Sequence, residues 1–181
     1  MASPAYTFSP VLQEFEIPVA DYLKSHTSLT GGLVVSALIF HHFDDGSRRI
    51  LLIQRAATDG FPLKWEIPGG AAEITDKSVF DGVCREVLEE TGLKVTKILR
   101  KADTKDEWEG RRGGRWRKIT FVVEVEGSED RKKTPKVKLS PEEHQDFGWV
   151  TLEEIENTRF EDGTEIEFAY EKQRGTILGL F

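Results

Sequence analysis

An α/β fold is predicted by three observations on the chain. Leu33 to Phe40 is a nearly continuous apolar run, as expected of a strand buried on both faces, and Arg49 to Arg55 returns after Asp44-Asp45-Gly46, a good hairpin turn. Val79, Val83 and Val87 recur every four residues between a capping Asp76 or Ser78 and a stopping Gly92, which marks an amphipathic helix. Trp116 to Val125 then alternates, with Ile119, Phe121, Val123 and Val125 set against Lys118, Thr120, Val122 and Glu124. Strands before a helix, strands after it and helices at the end give the α/β layout.

The flanking elements follow in order. Pro4 and Pro10 mark irregular chain. Phe15, Ile17 and Val19 alternate as a short edge strand, limited to an edge by Pro18, and Asp21 to Ser25 forms a single helical turn. This segment either packs over the core or shapes a pocket. His41 and His42 are expected in a surface loop rather than as ligands. Phe61 and Trp65 flank Pro62 and by default cover one end of the core; Trp65 is the one assigned to stacking on a base. Val95 to Leu99 is a strand and Asp103 to Gly114 a polar loop. Around Trp108 and Trp116 lie Arg111, Arg112, Arg115, Arg117 and Lys118. That is either an exposed hairpin tip or a grip for phosphates with Trp116 stacking on a base. Glu126 to Lys138 is a polar connection. Phe147 to Val150 is a short strand, Thr151 to Glu154 a capping box opening a helix, and Thr164 caps a last helix from Glu165 to about Arg174, ended by Gly175. The expected division is an extension over 1–29, a central domain over 30–157 and a C-terminal helix within 158–181 packing on it.

Composition narrows the function. The chain has 181 residues, 38% hydrophobic and 31% charged, which fits one ordinary globular domain with extensions. A net charge of −7 argues against sequence-independent nucleic-acid binding, and no stable nucleic-acid partner is expected. Cys84 is the only cysteine, so no intramolecular disulfide forms. No apolar run reaches the roughly 18 residues a membrane span needs. The N-terminus lacks the features of a signal peptide or a mitochondrial presequence, so a cytoplasmic protein is expected. A homodimer is left open.

The helix carries the chemistry. Glu86, Glu89 and Glu90 are related as i, i+3 and i+4, so at about 100° per residue they point to one side. Their Cβ atoms lie roughly 5–6 Å apart, a spacing at which like charges repel. A divalent cation reverses that cost, and carboxylate oxygens suit magnesium in particular. Upstream, Gly69-Gly70 lets a backbone carbonyl approach a ligand closely.

Arg85-Glu86-Val87-Leu88-Glu89-Glu90-Thr91-Gly92-Leu93 resembles the core of the Nudix box, R-E-U-x-E-E-x-G-U with U aliphatic, and every fixed position is matched. Trp65-Glu66-Ile67-Pro68-Gly69-Gly70 is similar to the lead-in of that family. The upstream half departs from the form G-x5-E-x7-R-E. Counting back from Arg85, the acid falls on Lys77; counting forward from Gly70, it falls on Asp76, with one residue too many before Arg85. A one-residue insertion, with Asp76 or Glu73 as the acid, accounts for this.

The resemblance implies the Nudix fold, a mixed β-sheet sandwiched between α-helices. It also implies a magnesium-dependent hydrolase, with manganese as a substitute, that breaks the pyrophosphate bond of a nucleoside diphosphate linked to another group. Glu89, Glu90 and the Gly70 carbonyl are then metal ligands, Glu86 a ligand or general base, and Arg85 the orienter of the glutamates. Arg55 faces substrate phosphates or forms a surface ion pair. A glutamate or histidine before the tryptophan strand reaches the metal in similar proteins; Glu143 is the first candidate and Glu142 the second. Two rivals stand beside the hydrolase. One is a catalytically weak nucleotide-binding module, favoured by Lys77 at the acid position; the other is an isomerase that uses the Cys84 thiol.

Overall fold

The computed structural model describes residues 6–104 and 106–181, so Pro4 lies outside the described residues. In chain order the elements are β1 (Thr7–Phe8), a 3-10 helix (Pro10–Phe15), α1 (Val19–Ser25), β2 (Gly32–His42) and β3 (Arg48–Arg55). Next come β4 (Trp65–Glu66), β5 (Gly69–Ala71), α2 (Val79–Thr91), β6 (Val95–Lys101), β7 (Asp106–Glu109) and β8 (Arg115–Val125). The chain closes with β9 (His144–Thr151), α3 (Leu152–Asn157) and α4 (Glu171–Leu178).

The apolar run becomes β2, the axis of a mixed sheet. One edge pairs in parallel with β8, from Gly32 opposite Trp116 to Ile39 opposite Val123, and buried Ser36 and Thr120 join hydroxyls at 2.8 Å. Beyond β8 lie antiparallel β6 and then β1. The other edge of β2 changes partner. Val34, Val35 and Ser36 pair with Ala71, Gly70 and Gly69 of β5, whereas Phe40, His41 and His42 pair with Ile50, Arg49 and Arg48 of β3. Strand β3 then carries β9 and β4. The fork between β5 and β3 opens a gap in the sheet, and the candidate site lies there.

Period-2 alternation divides the core into two layers. Leu33, Val35, Ala37 and Ile39 of β2 join Ile119, Phe121, Val123 and Val125 of β8 on one face, under Val79, Val83 and Val87 of α2. Phe15, Val19 and Tyr22 of the N-terminal segment complete that layer. Leu38, Ile50, Leu52, Val122 and Val150 face the other way, against Ile155 of α3 and Ile177 of α4. Helices therefore cover both faces of the sheet, as predicted. Each fully buried valine of α2 contributes about 1.5–3 kcal/mol at most. Ser78 caps that helix by accepting from the Asp81 N–H at 2.9 Å, and Gly92, at φ 68°, ends it.

Several expectations are corrected. Phe15, Ile17 and Val19 form no strand: Phe15 ends the 3-10 helix and Val19 starts α1, because their apolar side chains serve helical turns packed on Phe80 and Phe121. The segment packs over the core. His41 is not in a surface loop but wholly buried in β2 between Phe43 and Trp149. The polar stretch before Gly114 contains β7, zipped to β8 by Glu107, which accepts from Arg115 and Arg117 at 2.9 Å each. The last helix starts at Glu171, not Glu165, and Gly175 lies inside it. Residues 164–168 are instead extended, since Trp65 donates its N–H to Glu167 and accepts from Ala169, and Ile166 donates to Thr158. Among the described residues no helix is long and apolar enough to cross a membrane.

Candidate active site

Local backbone chemistry builds the site. At Gly69, φ is 145°, and a Cβ there would meet the Val35 carbonyl oxygen at 2.2 Å. At Gly70 a Cβ would come within 2.5 Å of Glu86 Oε2. The two glycines thus let β5 lie flush against β2 and against the acidic face of α2. The Gly69 N–H donates to Glu90 Oε2 at 2.7 Å, which ties the helix to the fork.

The three helix acids are brought together but differ in environment. Glu90 is buried, Glu86 is largely buried, and the Glu89 side chain is 58% exposed. Burial raises the Glu90 carboxyl well above the usual carboxylate range, against the Gly69 hydrogen bond, and neighbouring Glu66, Glu86 and Glu143 add to it. Burial raises Glu86 as well, although Arg85 opposes the shift.

Arg85 holds the acids in place. Its Nε donates to Asp76 Oδ1 at 3.1 Å, and one terminal nitrogen donates to Asp76 Oδ2 at 3.2 Å and to the Ala71 carbonyl at 3.1 Å. The other terminal nitrogen donates to Glu86 at 2.9 Å and Glu89 at 3.0 Å. The Asp76 hydrogen bond raises the Arg85 pKa; burial opposes it and Glu86 reinforces it. Asp76 therefore fills the position left open by the inserted residue. Lys77, the alternative, is exposed, as is Glu73, whose N–H donates to Asp76 Oδ2 at 2.8 Å.

The loop before β9 supplies the opposite wall. Lys138 donates its N–H to the Thr91 carbonyl at 2.8 Å and Ser140 to that of Glu90 at 3.3 Å, hooking the loop to the end of α2. Glu143 then enters the cleft, exposed, while Glu142 is not among the cleft residues. His144 follows, 1% exposed, with Nε2 at 3.3 Å from Glu66 Oε1 and 3.8 Å from Glu90 Oε1. Its buried Nδ1 has no hydrogen-bond partner among the described residues. Ligand atoms of Glu90, Glu143 and His144 all lie within 4.8 Å of one another. An oxygen-rich set with one imidazole suits a hard or borderline divalent cation.

Arg55 and Trp65 meet different fates. Arg55 borders the cleft, but its guanidinium is spent on protein groups: the Gly60 carbonyl, Asp59 and buried Glu66. Burial works against that charge, and Glu66 and Asp59 outweigh it, so its pKa is raised. Trp65 is corrected from base-stacking to core. It is 4% exposed, and its ring meets Phe160 edge-on, centroids 4.8 Å apart. Trp116 lies over Gly31 and Gly32 and stacks on Trp108, so its ring supports the β7–β8 hairpin rather than the acidic cleft. Cys84 sits half-buried on the core side of α2, where burial pushes its thiol up to about 12, which removes it as a nucleophile.

Two cavities meet at the fork. The acidic cleft, about 510 Å³, runs from Arg55 and Asp59 past Gly69, Gly70 and the three helix acids to Glu143 and His144. A second pocket of about 410 Å³ shares Arg55, Gly69, Gly70 and Ala71 with it and extends to Glu66, Trp108, Lys118 and Tyr170. Lys118 was one of five basic residues offered as a phosphate grip or a hairpin tip, a histidine before β9 was allowed for without being chosen, and Glu66 and Tyr170 had no part in the expected site. Glu66 stood in the matched lead-in and His144 beside Glu143, so both were within reach of the motif. Composition marked the basic cluster but not which of its members faces the pocket, and Tyr170 lies in a segment no motif describes.

A mixed sheet lies between helices, with acids massed at its fork beside a pocket lined by Trp108 and Tyr170. The NUDIX domain model matches residues 32–168, and the chain belongs to that family, as a Nudix pyrophosphohydrolase. Among solved structures, the MutT protein from Methanosarcina mazei Go1 is 28% identical, with a TM-score of 0.55 over 81% of this chain and 91% of that one. The NUDIX domain of Shewanella oneidensis NrtR, solved with ADP ribose, shares 18% identity at a TM-score of 0.59, covering 87% and 95% of the two chains. A C. elegans Ap4A hydrolase shares 18% identity at a TM-score of 0.56, covering 81% and 92%. Comparison with curated proteins finds no significant match.

Proposed function

We propose that the protein hydrolyses the pyrophosphate bond of a nucleoside diphosphate linked to a second group, with magnesium as cofactor and manganese as its substitute. One observation carries this reading: the acidic cleft and the aromatic pocket share a wall made of Gly69, Gly70 and Ala71. A substrate that is anionic in its middle and aromatic at one end fits such a pair of cavities. The compound in the name of one similar protein, Ap4A, and the ligand solved with another, ADP ribose, are of this kind.

Glu86, Glu89, Glu90 and the Gly70 carbonyl would hold the cation, with His144 completing the set from the loop before β9. When bound, such a cation neutralises diphosphate charge and lowers the pKa of bound water. The chain's own residues do the rest. Arg85 fixes the carboxylates by charge-assisted hydrogen bonds, with Asp76 holding its far side. Glu143 takes the proton of the attacking water: it projects into the cleft and has no ion-pair partner among the described residues, whereas Glu86 is engaged by Arg85. Trp108 and Tyr170, 39% and 45% exposed at the neighbouring pocket, receive the nucleoside.

The binding-module reading rested on Lys77. With Lys77 exposed and Asp76 in its place, nothing in the site favours it. The test is hydrolysis of a substrate panel with magnesium and with manganese: ADP-ribose, diadenosine tetraphosphate, nucleoside triphosphates and dinucleotide coenzymes. Release of a nucleoside monophosphate or inorganic product from at least one supports the reading, and binding of the panel without any product favours the module.

A further inference from the structure

A diphosphate brought to four glutamates needs positive charge, and the cations around the two cavities are largely committed. Arg85 is shared among Asp76, Glu86 and Glu89, and Arg55 between Asp59 and Glu66. Lys172 lies 3.7 Å from Asp106. Lys118 differs. Among the described residues no carboxylate lies within ion-pair distance of its ammonium; the group stands 5.2 Å from the centre of the Tyr170 ring. It is half-buried in the pocket wall. Burial holds its pKa below the usual lysine value, against the pull of Glu66, Asp106 and Glu90.

Its position is set by register. Lys118 pairs with Val34 in β2, and Val34 pairs with Ala71 in β5, next to Gly70. Two strand spacings, about 9–10 Å, separate the Lys118 and Ala71 backbones. Lys118 therefore lines the pocket beside the acidic cleft and not the cleft itself, on the side where the other end of the same diphosphate would lie. We propose that Lys118 binds the substrate phosphate that is not attacked, while the acids and their cation hold the one that is. This rests on the pyrophosphohydrolase reading and assigns Lys118, not Arg55, as the cation free to bind the substrate. A half-buried ammonium without a carboxylate is costly in the free protein, and an entering phosphate supplies its partner.

The test uses the full chain and the variants Lys118→Gln, Lys118→Met and Lys118→Arg. Calorimetry without divalent metal compares ADP, GDP, CDP and UDP with their nucleosides. The wild type should bind at least one diphosphate about tenfold or more tighter than its nucleoside, a preference lost in Lys118→Gln and Lys118→Met and largely kept in Lys118→Arg. With the best hydrolysed substrate, Lys118→Gln should raise KM about tenfold while kcat stays within about threefold. Lys118→Met should melt at the same temperature or a few degrees higher. A wild type without diphosphate preference, or a Lys118→Gln that retains it, overturns the assignment; so does a lowered Tm with unchanged affinity, which marks Lys118 as structural. If no substrate in the panel is hydrolysed, the enzymatic reading fails, and the calorimetry still decides Lys118.

Discussion

Gly69 and Gly70 are neighbours in one short strand, yet alanine should affect them oppositely. In Gly69→Ala the new methyl meets backbone at a left-handed φ, and nothing can give way, so a loss of about 3 kcal/mol or more is expected in denaturant unfolding. In Gly70→Ala the three atoms nearest the methyl all belong to the flexible carboxylate end of Glu86. The fold should hold, with Tm within a few degrees of wild type, while turnover falls about tenfold or more as the carboxylate is pushed aside. Glu90 gives a second prediction. Its folded-state pKa is raised by burial, so the folded protein keeps a proton the unfolded chain releases near pH 4.3. Stability of metal-free protein should therefore fall as pH rises from there until the raised value is passed. His41, lowered by burial, gives the opposite slope below about pH 6.5, so the comparison must be internal. Thermal melts from pH 5 to 8 should show wild type losing stability relative to Glu90→Gln, and added magnesium closing the gap. A gap that stays constant with pH contradicts the assignment.

At the scale of elements, α2 was legible almost completely. Its valine stripe, Ser78 cap and Gly92 stop are all local signals, and local signals are what a sequence displays. The loop feeding it was not. The missing acid of the motif looked like a gap at Lys77, but one inserted residue and one shorter side chain bring Asp76 to Arg85. Asp76→Ala should leave a largely buried guanidinium half-paired, costing about 2–4 kcal/mol in urea unfolding together with most activity. Glu73→Ala, an exposed acid, should change neither. The misjudged elements share one cause. Residues 164–168 have helical spacing, yet β4 and the end of α3 claim their backbone groups, and β7 exists because Glu107 meets two arginines across a hairpin. Such partners are distant along the chain and leave no local trace.

Across the whole molecule, the acids come from one motif but the second pocket is assembled from parts. Trp108 arrives on β7, Lys118 on β8, Tyr170 on the segment leading into α4, and Arg55 on β3. This is why the reaction class could be read from one motif, while for the binding surface the sequence offered Arg55, Lys118 and the tryptophans only as alternatives and missed Tyr170. Tyr170 illustrates the point. It packs on Phe61, centroids 5.4 Å apart, and places the C-terminal segment at a pocket otherwise lined by residues of β2 to β8. Tyr170→Ala should raise KM about three- to tenfold with little change in kcat or Tm, read in steady-state kinetics. Trp65→Phe should do the reverse, lowering Tm and leaving KM alone, because that ring belongs to the core.

The central claim is that the carboxylates on α2 hold a divalent cation against a diphosphate. Steady-state turnover of the substrate panel with magnesium, wild type beside Glu90→Gln, tests it most directly. The account predicts turnover that chelator abolishes and that falls a hundredfold or more in a variant which still folds. Wild-type turnover in Glu90→Gln, or turnover indifferent to chelator, would contradict it.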